Sequence, residues 1–233
     1  MLAEGAISVK ACIAGHKREV KKVYIDRSKK HKDFNYIRKI TKENGIELIE
    51  TDREDFLSIT DSKGHGGVVA EIGERHNDEL SEGDVFYLDG IEDPFNLGYI
   101  IRTLYAFGIK NILLPQRDLS NMEGQLLKSS AGAFEMANVM MSEYPLKDMT
   151  DLKEKGYTAY ALKRGDDAED IFDHRFADKC VFLLGGEKRG ISSSLLEICD
   201  RYLYISYGSD FRNSLNAAAA ADVVATLLYR QKR

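Results

Sequence analysis

From residue 84 onward, short apolar runs alternate with amphipathic stretches, and this alternation constrains the fold more than any other feature of the sequence. The apolar runs predict strands at 85–89, 111–114, 137–141, 157–162, 180–184 and 202–205. The stretches between them predict helices at 97–107, 123–129, 146–155, 193–199 and 215–230. Such alternation is typical of an α/β domain with a parallel sheet covered by helices on both faces. Ligands of these sheets bind at the carboxyl ends of the strands.

The first third of the chain predicts a smaller α/β unit. Its predicted elements are strands at 20–25, 46–49 and 67–72 and helices at 33–43 and 52–59. Residues 73–83 (GERHNDELSEG) are polar, acidic and bracketed by glycines, which is typical of a linker. We therefore expect one domain at residues 1–75 and a second domain at residues 84–233.

Composition narrows the class of protein and the kind of site. No apolar run approaches the roughly 20 residues of a membrane-spanning helix, and no secretory signal follows Met1. The three cysteines form no CxxC pair and the five histidines show no HxxxH spacing, so neither a disulfide framework nor a zinc site is predicted. We therefore expect no metal. We also expect a cytoplasmic protein, since cysteines without a disulfide pattern suit a reducing compartment.

Charge is distributed unevenly along the chain, although the net charge is only −5. Residues 10–42 hold twelve basic and three acidic side chains, whereas residues 43–84 hold thirteen acidic and three basic ones. A basic N-terminal third beside an acidic flank fits a docking surface for an anionic polymer. The alternative is that both segments are solvated helix faces.

An arginine and a glycine stand four residues apart in the apolar helix predicted at 97–107. Asn96 is well suited to cap this helix. Gly98 lies one turn before Arg102 on the same face, so the arginine side chain can pass over the bare glycine toward the start of the helix. A cation, an amide and free backbone N–H groups would then converge on an anionic or electron-rich ligand. The alternative is an Arg102 on the solvated face of the helix.

A glycine-rich turn at residues 185–190 (GGEKRG) follows the apolar strand predicted at 180–184. Glycines in this position let backbone groups approach a ligand closely. The turn is neither a P-loop nor a GxGxxG motif, because the GK[ST] end is missing and Glu187 occupies the second glycine position. A plain tight turn is the alternative. Ser194 and Glu197 are spaced as a capping box for the next helix.

A third motif, SLN at residues 214–216, stands directly before five alanines at 217–221. Ser214 or Asn213 is expected to cap the last helix. Alanines favour a helix and let another backbone pack closely, so the alanine run predicts a crowded core or a helix–helix interface between subunits. Helix propensity alone is the alternative. The small residues at 128–134 (KSSAGAF) are expected to pack beneath the site.

The order of these motifs resembles the TrmH/SpoU branch of the SPOUT superfamily, which are RNA ribose 2′-O-methyltransferases. The family patterns N-x-G-x-x-x-R-T, G-x-E-x-x-G and S-L-N are matched in order at residues 96–103, 185–190 and 214–216. Residues 64–70 (GHGGVVA) are similar to the ribosomal-protein-like RNA-binding domain of many members. The resemblance implies an N-terminal RNA substrate-binding domain. It also implies a SPOUT-type parallel sheet with a C-terminal trefoil knot.

The resemblance also implies a cofactor, partners and site residues. The cofactor is S-adenosylmethionine, the substrate is a ribose 2′-hydroxyl of rRNA or tRNA, and the protein is a homodimer. The residues implied around the reacting ribose are Asn96, Arg102, Glu187, Ser214 and Asn216. Those implied at the cofactor are Gly185, Gly186, Ile205, Leu215 and Leu114. In the basic segment, the candidate RNA contacts are Lys10, Lys17, Arg18, Lys21 and Lys22.

Some positions depart from the family pattern. Residues 205–207 (Ile-Ser-Tyr) stand where Ile-Pro-Met is usual, and the loop that follows is one residue longer. Tyr99 replaces a small residue, and four alanines at 217–220 replace the common Val-Ser-Val-Ala. An RNA-binding or assembly factor that keeps the fold without cofactor binding is therefore the alternative function. A nucleotide-dependent oxidoreductase is not indicated, because no predicted strand is followed by GxGxxG.

Overall fold

Apolar positions in the first 72 residues build a mixed four-stranded sheet with helices packed on it. The computed structural model describes residues 1–60, 62, 64–186 and 188–233. The strands of this sheet are β1 (Leu2–Glu4), β2 (Val20–Asp26), β3 (Glu47–Thr51) and β4 (Val68–Ile72). The helices are α1 (Ala6–Gly15), α2 (Phe34–Glu43) and α3 (Arg53–Ile59). The strand order is β1-β4-β2-β3, with β2 and β3 parallel and the other neighbours antiparallel.

The alternation after residue 84 forms a seven-stranded sheet, and every neighbouring pair of strands is parallel, as predicted. Its strands are β5 (Val85–Asp89), β6 (Asn111–Pro115), β7 (Asn138–Ser142), β8 (Thr158–Leu162), β9 (Glu169–Asp170), β10 (Cys180–Gly185) and β11 (Arg201–Tyr204). Its helices are α4 (Pro94–Ala106), α5 (Glu123–Ser129), α6 (Ala133–Met136), α7 (Pro145–Glu154), α8 (Ser193–Glu197) and α9 (Ala217–Lys232). The strand order β7-β6-β5-β10-β8-β11-β9 is consistent with the trefoil knot that the resemblance implies.

Helices cover both faces of the second sheet, because side chains along each strand alternate between two apolar cores. Phe86 and Leu88 of β5 lie in the core beneath α4 and α9. Val85 and Tyr87 lie in the opposite core beneath α7 and α8. Within the described ranges, no helix is long and apolar enough to cross a membrane.

The start of α4 and the caps of α4 and α8 differ from the prediction. Pro94 is the first residue of α4, where its fixed φ suits the helix and its missing N–H costs nothing. Asp93 therefore caps α4 by accepting a hydrogen bond from the Asn96 N–H at 2.7 Å, and the prediction that Asn96 is the cap is wrong. The predicted capping box of α8 is not formed, since the helix begins at residue 193 and Ser194 lies inside it.

Helix α1 joins the two units, and its surroundings explain why the sequence pattern did not reveal it. It packs on the first sheet and also on α5 and α6. Apolar residues therefore occur all around the helix, and the amphipathic period is lost. A Cβ on Gly15 would lie 2.2 Å from the Glu135 carbonyl oxygen, and one on Gly132 would lie 2.6 Å from the Ala11 Cβ. The elements β1, β9 and α6 were also not predicted, because they are only two to four residues long.

Arg18 lies in the interface between the two units. Its side chain is fully buried, and its Nε and Nη2 donate to the Glu135 carboxylate at 3.2 and 2.9 Å. Its Nη1 donates to Glu123 at 2.6 Å. Charged groups are tolerated inside proteins when they are paired in this way. The structure therefore contradicts the predicted RNA contact of Arg18.

The predicted linker, residues 73–83, is bonded to the second unit. Arg75 donates to Asp78 at 2.6 Å, and its guanidinium lies 4.7 Å from the centre of the Phe134 ring. Asp78 also accepts hydrogen bonds from the Val139 N–H at 2.9 Å and from Lys17 Nζ at 2.7 Å. Burial raises the pKa of Asp78, but these bonds outweigh burial and hold its pKa below the usual range. Residues 73–83 therefore connect the two units and are held against the second unit by these hydrogen bonds.

Candidate active site

A cavity of about 690 Å³ opens at the carboxyl ends of β8, β10 and β11. A space of this size fits a small organic ligand, and this edge of a parallel sheet is where such ligands bind. Its described walls come from the strand ends and from residues 162–164, 184–186, 190, 203–205, 207, 214–217 and 220. Two of the three sequence motifs, the glycine turn and SLN, therefore meet at one cavity.

Close backbone crossings explain the glycines of the turn after β10. A Cβ on Gly185 would lie 2.2 Å from the Gly190 carbonyl carbon, and a Cβ on Gly186 would lie 2.2 Å from the Gly90 carbonyl oxygen. The Gly186 N–H donates to the Asp89 carbonyl at 2.7 Å, which ties the turn to the end of β5. Gly190 has a φ of +64°, a conformation that glycine adopts most readily. This turn is more constrained than the plain tight turn of the alternative.

The SLN motif forms another part of the cavity wall. All three of its residues, Ser214, Leu215 and Asn216, line the cavity. Asn216 caps α9, because its Oδ1 accepts a hydrogen bond from the Ala219 N–H at 2.8 Å. The expectation that Ser214 or Asn213 is the cap is therefore wrong. Capping fixes the direction in which α9 leaves the cavity.

The alanine run of α9 serves both the cavity and the core. Ala217 and Ala220 line the cavity, whereas Ala221 is fully buried in the core. Helix α9 packs directly on α4. The predicted crowded core is therefore confirmed, and helix propensity alone does not explain the run. The interface between subunits stays a prediction.

A second cavity, of about 560 Å³, lies beside the first. The two cavities share Gly186, Gly190 and Ala217 as lining residues. The other walls of the second cavity come from the loop after β5, from the start of α4 and from exposed residues of the glycine turn. Asn96 lines this cavity, so the structure brings it close to the turn. Glu187, the predicted catalytic residue of the turn, lies outside the described residues.

Arg102 lies apart from both cavities. Its side chain is exposed, and it is absent from the described walls of either cavity. The face of α4 at Gly98 is covered by α5, because a Cβ on Gly98 would lie 1.9 Å from Ser129 Oγ. The expected path of Arg102 over Gly98 is therefore wrong. Of the small residues at 128–134, Ser129 packs against α4, whereas Gly132 packs against α1. Arg102 shares the outer face of α4 with Phe95 and Tyr99, which are 50% and 49% exposed.

The predicted cofactor contacts divide into two groups. Those that line the first cavity are Gly185, Gly186, Ile205 and Leu215. Leu114 is fully buried in the core on β6, and β5 separates this strand from β10 and the cavity. The structure therefore contradicts a cofactor contact from Leu114.

Sequence patterns did not reveal the charged wall of the first cavity. The charged side chains among its described lining residues are Lys163 and Arg164, and Lys163 pairs with Asp167 at 2.8 Å. Both cations directly follow the predicted strand at 157–162, so their place at a carboxyl strand end was the available signal. Tyr207, a departure from the family pattern, lines the same cavity. No group of three or more His, Cys, Asp or Glu among the described residues is placed to hold a metal.

Some of the predicted RNA contacts already form ion pairs within the protein, and others do not. Lysines that pair with an acidic side chain at 2.7–3.3 Å are Lys10, Lys17 and Lys22. Lys21 is exposed. Residues 27–32, between β2 and α2, form what we call the basic loop. Its exposed cations without an ion pair in the described part of the chain are Arg27, Lys29, Lys30 and Lys32.

Sequence comparison identifies both parts of the chain. The SpoU rRNA methylase family matches residues 84–226, and the family of RNA 2′-O ribose methyltransferase substrate-binding domains matches residues 2–77. The rRNA methyltransferase 1, mitochondrial, of Schizosaccharomyces pombe is 27% identical over 263 residues, with 94% of this chain and 86% of that protein covered. A Staphylococcus saprophyticus protein named for the TrmH family of tRNA/rRNA methyltransferases is 30% identical over 238 residues, with 95% and 92% covered.

Solved structures share the fold over nearly the whole chain. The SpoU methyltransferase AviRb from Streptomyces viridochromogenes, in complex with AdoMet, has a TM-score of 0.80 and 20% identity, with 100% of this chain and 90% of that chain covered. The AdoMet-bound rRNA methyltransferase from Sinorhizobium meliloti has a TM-score of 0.77 and 20% identity, with 98% and 86% covered. The resemblance seen in the sequence is confirmed, and this chain belongs to the SpoU rRNA methylase family of RNA methyltransferases.

Proposed function

We propose that the protein transfers a methyl group from S-adenosylmethionine to a ribose 2′-hydroxyl of RNA. The observation that carries this proposal is the first cavity, where the glycine turn and the SLN motif meet. Its volume of about 690 Å³ and its mixed apolar and polar walls fit a ligand that joins a nucleoside to an amino acid. Of the positions that depart from the family pattern, Tyr207, Ala217 and Ala220 line the cavity and leave it open, which favours an enzyme over a factor without cofactor binding.

Backbone groups and apolar side chains are the proposed contacts of the cofactor. Gly185 and Gly186 present main-chain groups without a side chain, and Ile205 and Leu215 offer apolar surface. When bound, the cofactor supplies an activated methyl carbon, so the protein needs no metal for the transfer. The task of the chain is to align the ribose oxygen with that carbon and to assist loss of the hydroxyl proton.

The second cavity is the proposed entrance for the ribose. Asn96 lines it, and the walls that it shares with the first cavity connect the two spaces. Ser214 and Asn96 offer neutral hydrogen-bonding groups to the sugar. Arg102 is assigned to stabilise the developing alkoxide and to hold the adjacent phosphate, since a guanidinium keeps its proton and offers no acceptor with which to act as a base.

We infer a homodimer in which Arg102 completes the site of the partner subunit. Arg102 is absent from the described walls of both cavities of its own chain. The same outer face of α4 exposes Phe95 and Tyr99. Large apolar side chains that share one exposed helix face are typical of an interaction surface. A two-fold axis near this face would set the two copies of α4 against each other.

RNA docking is assigned to the basic loop. Exposed lysines contact phosphates and position an RNA without reading its sequence. The matched substrate-binding family over residues 2–77 supports this assignment. Both rRNA and tRNA fit this mode of docking. We also propose a cytoplasmic location, because free cysteines suit a reducing compartment.

Calorimetry and a methylation assay test the proposed reaction. We expect binding heat with S-adenosylmethionine and, after digestion of the RNA product, ribose-methylated nucleosides. Comparing ribose methylation between a deletion strain and wild type identifies the RNA. Absence of binding heat would support the alternative, an RNA-binding factor without cofactor. Methyl groups on bases would reject the ribose as the acceptor.

Salt dependence tests the docking surface. Replacing Lys29, Lys30 or Lys32 with Ser should reduce the slope of log affinity against log salt by about 0.7–0.9 per lost phosphate contact. Lys22→Ser is the matched control, because this lysine already pairs with Glu47 at 3.3 Å. Equal slopes in all four variants and wild type would place RNA docking elsewhere.

A further inference from the structure

The first cavity depends on a loop that has no regular structure of its own. Residues 205–216 connect β11 to α9 without a helix or strand, and residues 208–216 are exposed. Nevertheless Ile205, Tyr207 and the SLN motif of this loop all line the cavity. Ordering such a loop costs conformational entropy at every residue. Specific contacts must therefore hold it in place.

One guanidinium holds the end of the loop. Arg164 lies two residues after the end of β8. Its Nη1 donates to the Arg212 carbonyl at 2.5 Å. Its Nη2 donates to the Asn213 carbonyl at 3.1 Å. These carbonyls immediately precede the SLN motif. The planar fork of an arginine suits two neighbouring acceptors, whereas a lysine presents a single ammonium.

Tyr207 ties the beginning of the loop to its end. The Arg164 guanidinium lies over the Tyr207 ring, 4.7 Å from its centre. The Tyr207 hydroxyl accepts a hydrogen bond from the Leu215 N–H at 3.0 Å, across eight positions of the chain. The Phe211 ring packs beside it, with ring centres 6.1 Å apart. The two side chains thus contact both ends of the exposed segment.

The sheet fixes the position of Arg164. The preceding residue, Lys163, donates its N–H to the Leu203 carbonyl of β11 at 2.9 Å. Its ammonium lies 4.1 Å from the centre of the Tyr202 ring. Arg164 forms no ion pair within the described part of the chain, so its contacts organise the main chain and do not neutralise a charge.

We propose that Arg164 and Tyr207 are positioning residues that hold loop 205–216 in the conformation that binds the cofactor. The inference rests on the proposed function for the identity of the ligand. Without these contacts the loop samples other conformations, and the SLN motif leaves the cavity wall for part of the time. Cofactor affinity then falls in proportion to the population of the competent conformation.

Hydrogen exchange of the unliganded protein tests the loop directly. The variants are Arg164→Ala, Arg164→Lys and Tyr207→Phe. The matched control is Arg212→Ala, because it removes an exposed guanidinium but keeps the main-chain carbonyl that Arg164 binds. We expect faster exchange over residues 208–215 in the three variants and no change in the control. Tyr207→Phe should affect the Leu215 amide most, because it removes the acceptor of that N–H.

Calorimetry with S-adenosylhomocysteine, an unreactive relative of the cofactor, supplies the second readout. Loss of one neutral hydrogen bond in Tyr207→Phe should weaken binding about 3- to 10-fold. Arg164→Lys should bind as weakly as Arg164→Ala, because a single ammonium does not replace the fork. Circular dichroism confirms that the variants are folded.

Two results would overturn the proposal. One is unchanged loop exchange in both Arg164→Ala and Tyr207→Phe. The other is wild-type affinity in Arg164→Lys together with weak binding in Arg164→Ala, since a direct charge contact with the carboxylate of the ligand would then explain the data. If the wild-type protein binds no S-adenosylhomocysteine, the proposed function fails, while the exchange experiment still decides the role of the pair.

Discussion

The buried ion pair between the two units makes a quantitative prediction. The side chains of Arg18 and Glu135 have no exposed surface, and Nε and Nη2 of the arginine both donate to the same carboxylate. Arg18→Met keeps an unbranched apolar stem but leaves the carboxylate without these two donors. Removing one partner of a buried pair costs about 3–5 kcal/mol, because the other charge stays buried and uncompensated.

Two neighbouring groups place the expected loss at the lower end of this range. Arg75 Nε lies 3.8 Å from the Glu135 carboxylate and still compensates part of its charge. Glu123, the second partner of Arg18, retains 14% of its side-chain exposure and can be hydrated. We therefore expect Arg18→Met to lower the free energy of unfolding by about 3 kcal/mol.

Adding Glu135→Met to Arg18→Met separates the pair from simple packing. Because both buried charges are then absent, the double variant should recover most of the loss. Lys22→Met is the control, since its exposed pair with Glu47 should contribute less than about 1 kcal/mol. The assay is urea unfolding followed by circular dichroism, which suits a chain without tryptophan. A double variant as unstable as the sum of its single variants would refute the reasoning.

Asp78, Gly98 and Arg102 test the interface, the core and the site. Because the pKa of Asp78 is lowered by folding, its ionised form stabilises the protein above about pH 4, and this contribution is lost as the pH falls further. Asp78→Asn should therefore lower the free energy of unfolding more at pH 7 than at pH 3, and an equal loss at both values contradicts this. Gly98→Ala should lower the free energy of unfolding by about 1–3 kcal/mol, because the new methyl group collides with Ser129. The control Gly124→Ala places its methyl group in open space and should change this free energy little. Equal unfolding midpoints for the two variants would contradict the packing. Arg102→Ala should abolish methyl transfer and leave S-adenosylmethionine affinity unchanged by calorimetry, and wild-type turnover would remove its assigned role.

The sheet of the second unit was predictable because its strands are buried on both faces. Such strands are continuous apolar runs, and helices between them repeat apolar residues at a different period. The bounds predicted for β5 agree with the structure at both ends. Gly185 of the turn after β10 was also informative, because the backbone that it crosses belongs to Gly190 of the same turn, whereas Gly186 crosses Gly90 of the distant loop after β5.

Side chains with distant partners could not be placed from local patterns. Arg18 adds to the basic count of its segment, but its carboxylate partner lies 117 residues away. Gly98 was interpreted through its own helix, while its neighbour Ser129 belongs to α5. Arg164 bonds to carbonyl groups 48 and 49 residues later. Each assignment needs the tertiary packing, which spacing within one element does not contain.

The proposed homodimer accounts for an Arg102 that matches a family motif and yet is absent from the described walls of both cavities of its own chain. A residue that serves the partner subunit has its contacts on another molecule, so one chain shows it as exposed. Mixed dimers test this directly. In a dimer of an Arg102→Ala chain and an Asn96→Ala chain, one site combines an intact Asn96 with the partner's intact arginine, and the other site lacks both.

Random pairing of equal amounts of the two chains makes half of the dimers mixed. Each mixed dimer holds one complete site, so activity should return to about a quarter of the wild-type level if Arg102 acts across the interface. If Arg102 acts within its own chain, every site lacks one group and activity stays at the level of the separate variants. Recovery on mixing therefore distinguishes the two arrangements, and its absence in dimers shown to exchange subunits would exclude catalysis by Arg102 across the interface.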